Sequence, residues 1–283
     1  MSTDQSTDSD LRVDPEDEEA SPKRAPKEIL KSEIHEGLGA LERSMGGLFV
    51  SGLSAGLDLG FSLMLMGVMW TQTHGKLPPP VVHLLVANMY AVGFIFVVIG
   101  RSELFTEQTT LAVLPLLNGN SSLKALLRLW VVVFVANLAG AAIFAALVTF
   151  VGPRLGDISP EAFKYLASGA VDHGSLELFL SAVLAGWLMG LLSWLVAAGR
   201  DTISQIVVVW MVTTTIGFAG LHHVVAGSME IFAGMFSGSG ITAGNAARVI
   251  AMATLGNVFG GVVFVAVIKF GHVKQMAEGE DLT

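Results

Sequence analysis

Residues Thr213 to Gly234 read TTTIGFAGLHHVVAGSMEIFAG. They lie in an apolar stretch long enough to cross a bilayer, which takes about 20 residues, yet they carry His222, His223, Ser228 and Glu230. Ionisable groups at bilayer depth are costly and face a protein interior or a water-filled path. Gly217, Gly220 and Gly227 permit a helix to break here. A broken helix at that depth is tolerated only where its freed backbone groups are buried in protein or line a cavity. The stretch therefore predicts a pore or transport site around His222 and His223. A packed helix interior holding a satisfied histidine pair is the alternative.

The surrounding composition agrees with a membrane setting. Of 283 residues, 52% are hydrophobic and 14% charged, with a mean hydropathy of +0.65. A soluble domain carries about 25% charged residues, so the chain reads as an all-α, multi-span membrane protein. Twelve of the 24 acids precede residue 45, so the net charge of −8 belongs largely to one end and points to no nucleic-acid partner. Cysteine is absent, which excludes disulfides, thiolate metal sites and thiol catalysis.

Residues 1–27 have no apolar core, do not read as a signal peptide, and are expected to form a disordered acidic tail. Over 28–44, Ile29, Leu30, Ile34, Leu38 and Leu41 recur at helical spacing between charges, which predicts an amphipathic surface helix. A transmembrane domain over 45–271 follows, with spans near 46–70, 80–115, 124–152, 174–199, 202–236 and 244–271; residues 272–283 form a short tail. Lysines and arginines near span ends set orientation. With six spans, eleven fall on the side of the termini and four on the other, with Arg101 inside span two, so both termini are expected in the cytoplasm.

Span one, from Ser51 to Gly60, and span four, from Ser181 to Gly190, share the frame S-x3-A-G-x3-G. Asn137-Leu-Ala-Gly140 in span three parallels Asn257-Val-Phe-Gly260 in span six. Spans one to three thus correspond to four to six, and an odd number of spans per half makes the repeats inverted. Folds of this kind place their site at the midplane on discontinuous helices in matching positions. Spans two and five match, and both are interrupted by polar residues: SELFTEQTT (Ser102 to Thr110) and the histidine region.

Ser102-Glu103-Leu104-Phe105-Thr106, Ala136-Asn137-Leu138-Ala139-Gly140-Ala141, Leu221 to Val225, and Thr254 to Gly261 occur in the order and places at which the chain resembles the formate/nitrite transporter family. The resemblance spans about residues 28–271. It implies an aquaporin-like fold, a homopentamer in the lipid bilayer and one pore per protomer for small monovalent anions such as formate, nitrite or hydrosulfide. It makes His223 the central pore histidine, Thr106 its hydrogen-bonding partner and Asn257 the span-six asparagine facing them. The apolar constrictions fall at Tyr90, Phe94, Phe105, Met189 and Ile216. An apolar ring strips water, and a histidine between two rings supplies a proton or a hydrogen bond to a weak-acid anion, because imidazole titrates near neutrality. A bacterial inner-membrane location follows from the same resemblance.

The chain departs from the family pattern at four places. Ala170 stands where a lysine is usual, His222 where glutamate is common, Gly227 where asparagine is common, and Arg101 where a small residue is usual. Among accessory residues, Asp58 is expected to pair with Arg101 or cap a broken helix, and Glu103 to meet a helix N-terminus. The run Met64, Met66 and Met69 reads as lipid-facing or packing filler. A pore for small neutral solutes is the competing transport reading. A membrane enzyme or haem protein using the histidine pair is opposed by adjacent histidines pointing to different sides and by the lack of a partner at ligand spacing. No metal, no cofactor and no enzymatic activity are therefore expected.

Overall fold

A computed structural model describes residues 24–280. Most of the segment expected to be disordered lies outside the described residues, as does the end of the chain. Everything described is helical or connects helices. Helix α1 (Pro26–Glu42) precedes α2 (Met45–Asp58) and α3 (Gly60–Thr73), which together make one apolar rod interrupted only at Leu59. Then come α4 (Pro79–Ile99), the short α5 (Phe105–Leu111) and α6 (Val113–Leu117), and α7 (Leu123–Leu155). Helices α8 (Pro160–Val171), α9 (Ser175–Ala198), α10 (Thr202–Phe218), α11 (Val224–Phe236) and α12 (Ala243–Phe259) follow. A π-helical stretch, Gly260–Val267, leads into α13 (Ile268–Glu280).

Among the described residues, five helices or continuous rods are long and apolar enough to cross a membrane, and α10 and α11 are shorter apolar helices. Their outer faces expose Val50, Val131, Phe150 and Leu176, while Leu48, Leu129, Phe94 and Met189 are buried inside. Charge on one side of a soluble helix is replaced here by an apolar face, as lipid contact requires. Helix α1 packs against α13, so the described ends of the chain meet on one side.

Helices α2 and α7 cross in tight contact, as do α9 and α12. Small residues make this possible. A Cβ built on Gly56 would lie 2.3 Å from the Asn137 carbonyl oxygen, and one on Gly186 would lie 2.3 Å from that of Asn257. Helices approach this closely in membranes by presenting backbone to backbone.

The breaks expected in spans two and five fall at residues 100–104 and 219–223, between α4 and α5 and between α10 and α11. Helix α8 is an addition to the expected elements, although Pro160 at its first turn and the buried Ala162, Phe163, Leu166 and Ala170 follow helical spacing.

Candidate functional site

Each break is built on the same hydrogen bonds. Helix α4 ends with the Ser102 N–H donating to the Val97 carbonyl (3.1 Å), and α10 ends with the Leu221 N–H donating to that of Ile216 (3.0 Å). That six-to-one bond closes a helix through one left-handed residue. The residue is Gly220 in the second break (φ 63°) and Arg101 in the first (φ 56°), the one non-glycine with positive φ among the described residues.

Next, the Glu103 N–H donates to Ser51 Oγ (3.0 Å) and the His222 N–H to Ser181 Oγ (3.2 Å). The two serines open the frames shared by spans one and four. The short helices then begin. Their first N–H groups have no partner within the helix, and an asparagine supplies one in each case. Asn137 Oδ1 accepts from the Phe105 N–H and Asn257 Oδ1 from the Val224 N–H, both at 2.8 Å. Asn137 Nδ2 donates to the carbonyls of Gly52 (2.7 Å) and Glu103 (2.9 Å), and Asn257 Nδ2 to those of Ala182 (2.8 Å) and His222 (2.9 Å). Both asparagines are fully buried. Asn257 therefore clamps backbone, and both N–H donors of its carboxamide are committed to carbonyls.

The breaks converge on one contact. His223 Nε2 lies 2.6 Å from Thr106 Oγ1, and His223 Nδ1 accepts from the Ala226 N–H at 3.2 Å, so the imidazole also caps α11. An Nδ1 that accepts leaves the proton of a neutral ring on Nε2, which donates to the threonine hydroxyl. Both residues are buried, and Phe94 meets the imidazole edge-on with ring centroids 5.0 Å apart. His222 points elsewhere: its ring contacts Ser181 Oγ (2.8 Å), the Gly169 carbonyl (3.3 Å) and the edge of His173.

On the side of this contact away from α1, a cavity of about 220 Å³ (the outer cavity) is lined by Tyr90, Ile216, His222, His223, Gly227 and Glu230, with Ala170 in its wall. Among the described residues, no lysine or arginine lines it. On the other side an inner cavity of about 380 Å³ is lined by Glu33, Glu36, Arg101, Glu107, Ser193 and Arg200, and adjoins one of about 340 Å³ beside Arg43 and Glu103. Glu107 directly follows Thr106. Among the expected constriction residues, Tyr90 and Ile216 line the outer cavity. Phe94 and Met189 are fully buried. Phe105 turns its ring to α7, against Trp130 and Phe134.

Two expectations for accessory residues change. Asp58 Oδ2 accepts from Ser54 on its own helix (3.1 Å), in place of a pair with Arg101. The Glu103 carboxylate serves no helix terminus, because Asn137 already occupies that N–H; it pairs with Arg43 (2.8 Å) and accepts from Gln108 (2.5 Å). Met66, from the run read as lipid-facing or packing filler, packs in the core and also lines the outer cavity.

Glu33 and Glu107 join the site without having been expected there, while Glu230, already marked as an ionisable group in the histidine stretch, lines the outer cavity. Glu33 carries a signal in the sequence: it occupies the buried stripe of α1 with Ile29, Leu30, Gly37 and Leu41. Burial raises its carboxyl to about 8, against a lowering by the Ser193 hydroxyl, which donates to Oε1 (2.6 Å).

A family profile described as Formate/nitrite transporter matches residues 27–271. The chain belongs to the formate/nitrite transporter family. It is 31% identical over 262 residues to inner membrane protein YfdC of Escherichia coli, covering 92% of this chain and 82% of that one. In fold, it superposes on a solved "FNT family ion channel" with a TM-score of 0.76 at 23% identity, covering 86% of this chain and 97% of the other. A "pentameric formate channel with formate bound" gives 0.65 at 23% identity, with 84% and 98% covered. A member of this family is a membrane transport protein and not an enzyme. In the terms of that family, the departures cluster: Ala170, His222 and Gly227 all line the outer cavity, whereas Arg101 lines the inner one.

Proposed function

We propose that each protomer carries one pore for small monovalent anions of weak acids, formate and nitrite first among them, with His223 at its centre. The observation that carries this reading is the Thr106–His223 contact. It joins the two breaks; His223 lines one cavity, and Glu107, next to Thr106 in the chain, lines the other. The matched serine and asparagine bonds support six crossings arranged as two inverted three-helix repeats, with α10 and α11 forming the fifth crossing. The packing of α1 on α13 agrees with an even number of crossings. The charge bias of the loops supports cytoplasmic termini in an inner membrane. The pentameric assembly of the formate channel it resembles supports a homopentamer here.

In this pore, apolar side chains around the Thr106–His223 contact strip water from the passenger. The Nε2–H then gives it a hydrogen bond in place of the one to Thr106. A doubly charged anion has no compensating charge there and is excluded by desolvation. A panel of formate, nitrite, hydrosulfide, sulfate and glycerol fluxes in proteoliposomes tests the reading. Flux of the monovalent anions with sulfate excluded is expected.

One observation favours passage of small neutral solutes instead: among the described residues, the wall of the outer cavity has a carboxylate, Glu230, and no lysine or arginine. Glycerol flux exceeding formate flux at every pH gives that reading precedence.

A further inference from the structure

The inner cavity poses a problem for an anion pore. Glu33 and Glu36 from α1 and Glu107 from α5 line it together, and Glu107 is in electrostatic contact with Glu33, Glu36 and Glu103. Glu33 is 1% exposed; its Oε1 accepts from Ser193, but its Oε2 is buried without a hydrogen-bond partner. Next door, Gln108 Oε1 is likewise buried and unpartnered. A buried ionised carboxylate with an unsatisfied oxygen is strongly disfavoured, whereas a protonated one carries a donor of its own.

Positive charge also faces the cavity. Arg101 and Arg200 line it; Arg24 donates to the Ala197 carbonyl, and Arg43 is committed to Glu103. Asp201 at the rim accepts from the Ser204 N–H and hydroxyl. His35 lies in the adjoining cavity. The outer cavity has no such cluster of carboxylates.

We propose that Glu33 and Glu107, with Glu36 beside them, form a proton-binding site at the inner mouth, separate from His223, that gives a proton to a weak-acid anion entering there. Resting on the anion reading above, the step is a simple transfer. A carboxyl O–H bond breaks, an O–H bond forms on the anion, and the neutral acid moves on toward Thr106. The carboxylate left behind is reprotonated from the solution on the same side, so one proton crosses with each anion. The high value for Glu33, about 8, places such a site in the protonated state at neutral pH. Above its pKa the occupied fraction of the site falls about tenfold per pH unit.

The test uses the full chain in vesicles whose sidedness is scored by protease access to the N-terminal segment. Formate is the probe, with a pH dye in the lumen. Flux driven from the side of the termini is expected to fall as that side is raised from pH 7 to 9, with one proton carried per formate. His223→Asn keeps this limb of the pH profile in whatever flux remains. Glu33→Gln and Glu107→Gln, checked for assembly by size-exclusion chromatography, flatten it. An unchanged limb in both assembled glutamine variants, loss of the limb in His223→Asn alone, or replacement of the pH dependence by a sodium dependence overturns the proposal.

A second measurement needs no flux. A protonated-carboxyl band in infrared difference spectra of the wild-type protein is expected to titrate between pH 7 and 9 and to disappear in Glu33→Gln. Its absence from the wild-type protein overturns the proton site. Absence of anion flux with the band present overturns the anion reading and leaves the site as a proton-binding cavity.

Discussion

At the first break, Glu103 gives its carboxylate to Arg43 and Gln108; at the matching place in the second, His222 turns to Ser181 and Gly169. One residue further on, Leu104 is buried apolar filling, whereas His223 caps a helix and reaches Thr106. Yet the backbone around the two is held by corresponding serines, asparagines and left-handed residues. A surface helix lies beside each. Helix α1 packs near α5 and puts carboxylates into the inner cavity, while α8 packs on α11 and walls the outer one with Ala170 and Tyr165. The frame is common to both halves, and the chemistry is divided between them. Neither break makes the Thr106–His223 contact alone, since the imidazole comes from one and the hydroxyl from the other.

The common frame is the place to strike hardest. Asn137→Ala and Asn257→Ala each strand one backbone N–H and two carbonyls in a buried setting, at about 1–3 kcal/mol per group. Both variants are expected to lose most of their thermal stability in detergent, by similar amounts. A melting temperature close to wild type for either one shows that its clamp is dispensable and that the halves are not equivalent. Asn→Asp at either position is expected to be nearly as damaging, because the replaced Nδ2 serves two carbonyls.

The division of chemistry predicts an uneven outcome at the histidines. His223→Asn and Thr106→Val are expected to cut formate flux in proteoliposomes by at least about tenfold, the equivalent of one hydrogen bond to a charged passenger, while the oligomer persists. His222→Asn is expected to change flux by less, since its ring is held at the wall of the outer cavity. Protonation of His223 at Nδ1 removes the acceptor for the Ala226 N–H, so acid inactivation is expected to need His223 and to persist in His222→Asn. Equal losses in all three variants contradict the assignment.

A smaller contrast separates the two surface helices. Glu33 has a raised carboxyl, so its contribution to stability is fully present below its ordinary value of 4.5 and lost as pH rises through about 8. Melting temperature is therefore expected to fall between pH 6 and 9 in the wild type and to fall less in Glu33→Gln. Parallel curves for the two proteins show that Glu33 is not the group responsible.

Arg101 provides the mildest test. Left-handed backbone costs a non-glycine residue about 1 kcal/mol, part of which a glycine returns through its freer unfolded chain. Arg101→Gly is expected to melt within a few degrees of wild type, and above Arg101→Ala, which keeps the strain and loses the side chain. The reverse order shows that guanidinium contacts, not backbone conformation, dominate at this turn.

Much of this frame is legible in the amino-acid sequence. Ser51 and Ser181, and Asn137 and Asn257, stand in the repeated patterns, and period and polarity alone put breaks in spans two and five. Thr106 and His223 come from the family resemblance. What escapes is set by geometry without local pattern. Glu107 sits in a polar run where any member has an equal claim to face the pore, and only the start of α5 at Phe105 decides it. Asp58 and Arg101 look like partners because both are charges in apolar spans; the fold leaves Asp58 to Ser54. Amphipathic spacing marks α1 as a surface helix, but Glu33 on its buried stripe reads as an ordinary interruption until Ser193 and the cavity are seen beside it.

The asparagine clamps also have a consequence in time. The amides of Phe105 and Val224 donate to carboxamides that each hold two further carbonyls, in the middle of the protein. Releasing either amide to solvent requires three bonds to open together, an event with the cost of sub-global unfolding rather than of a loop excursion. In hydrogen–deuterium exchange these two amides belong with the last to be replaced, although each begins a helix, where exchange is ordinarily fast. In the proposed pore, opening and closing is therefore expected to proceed by side-chain rotation within a still backbone, on the nanosecond side of the range rather than the millisecond one.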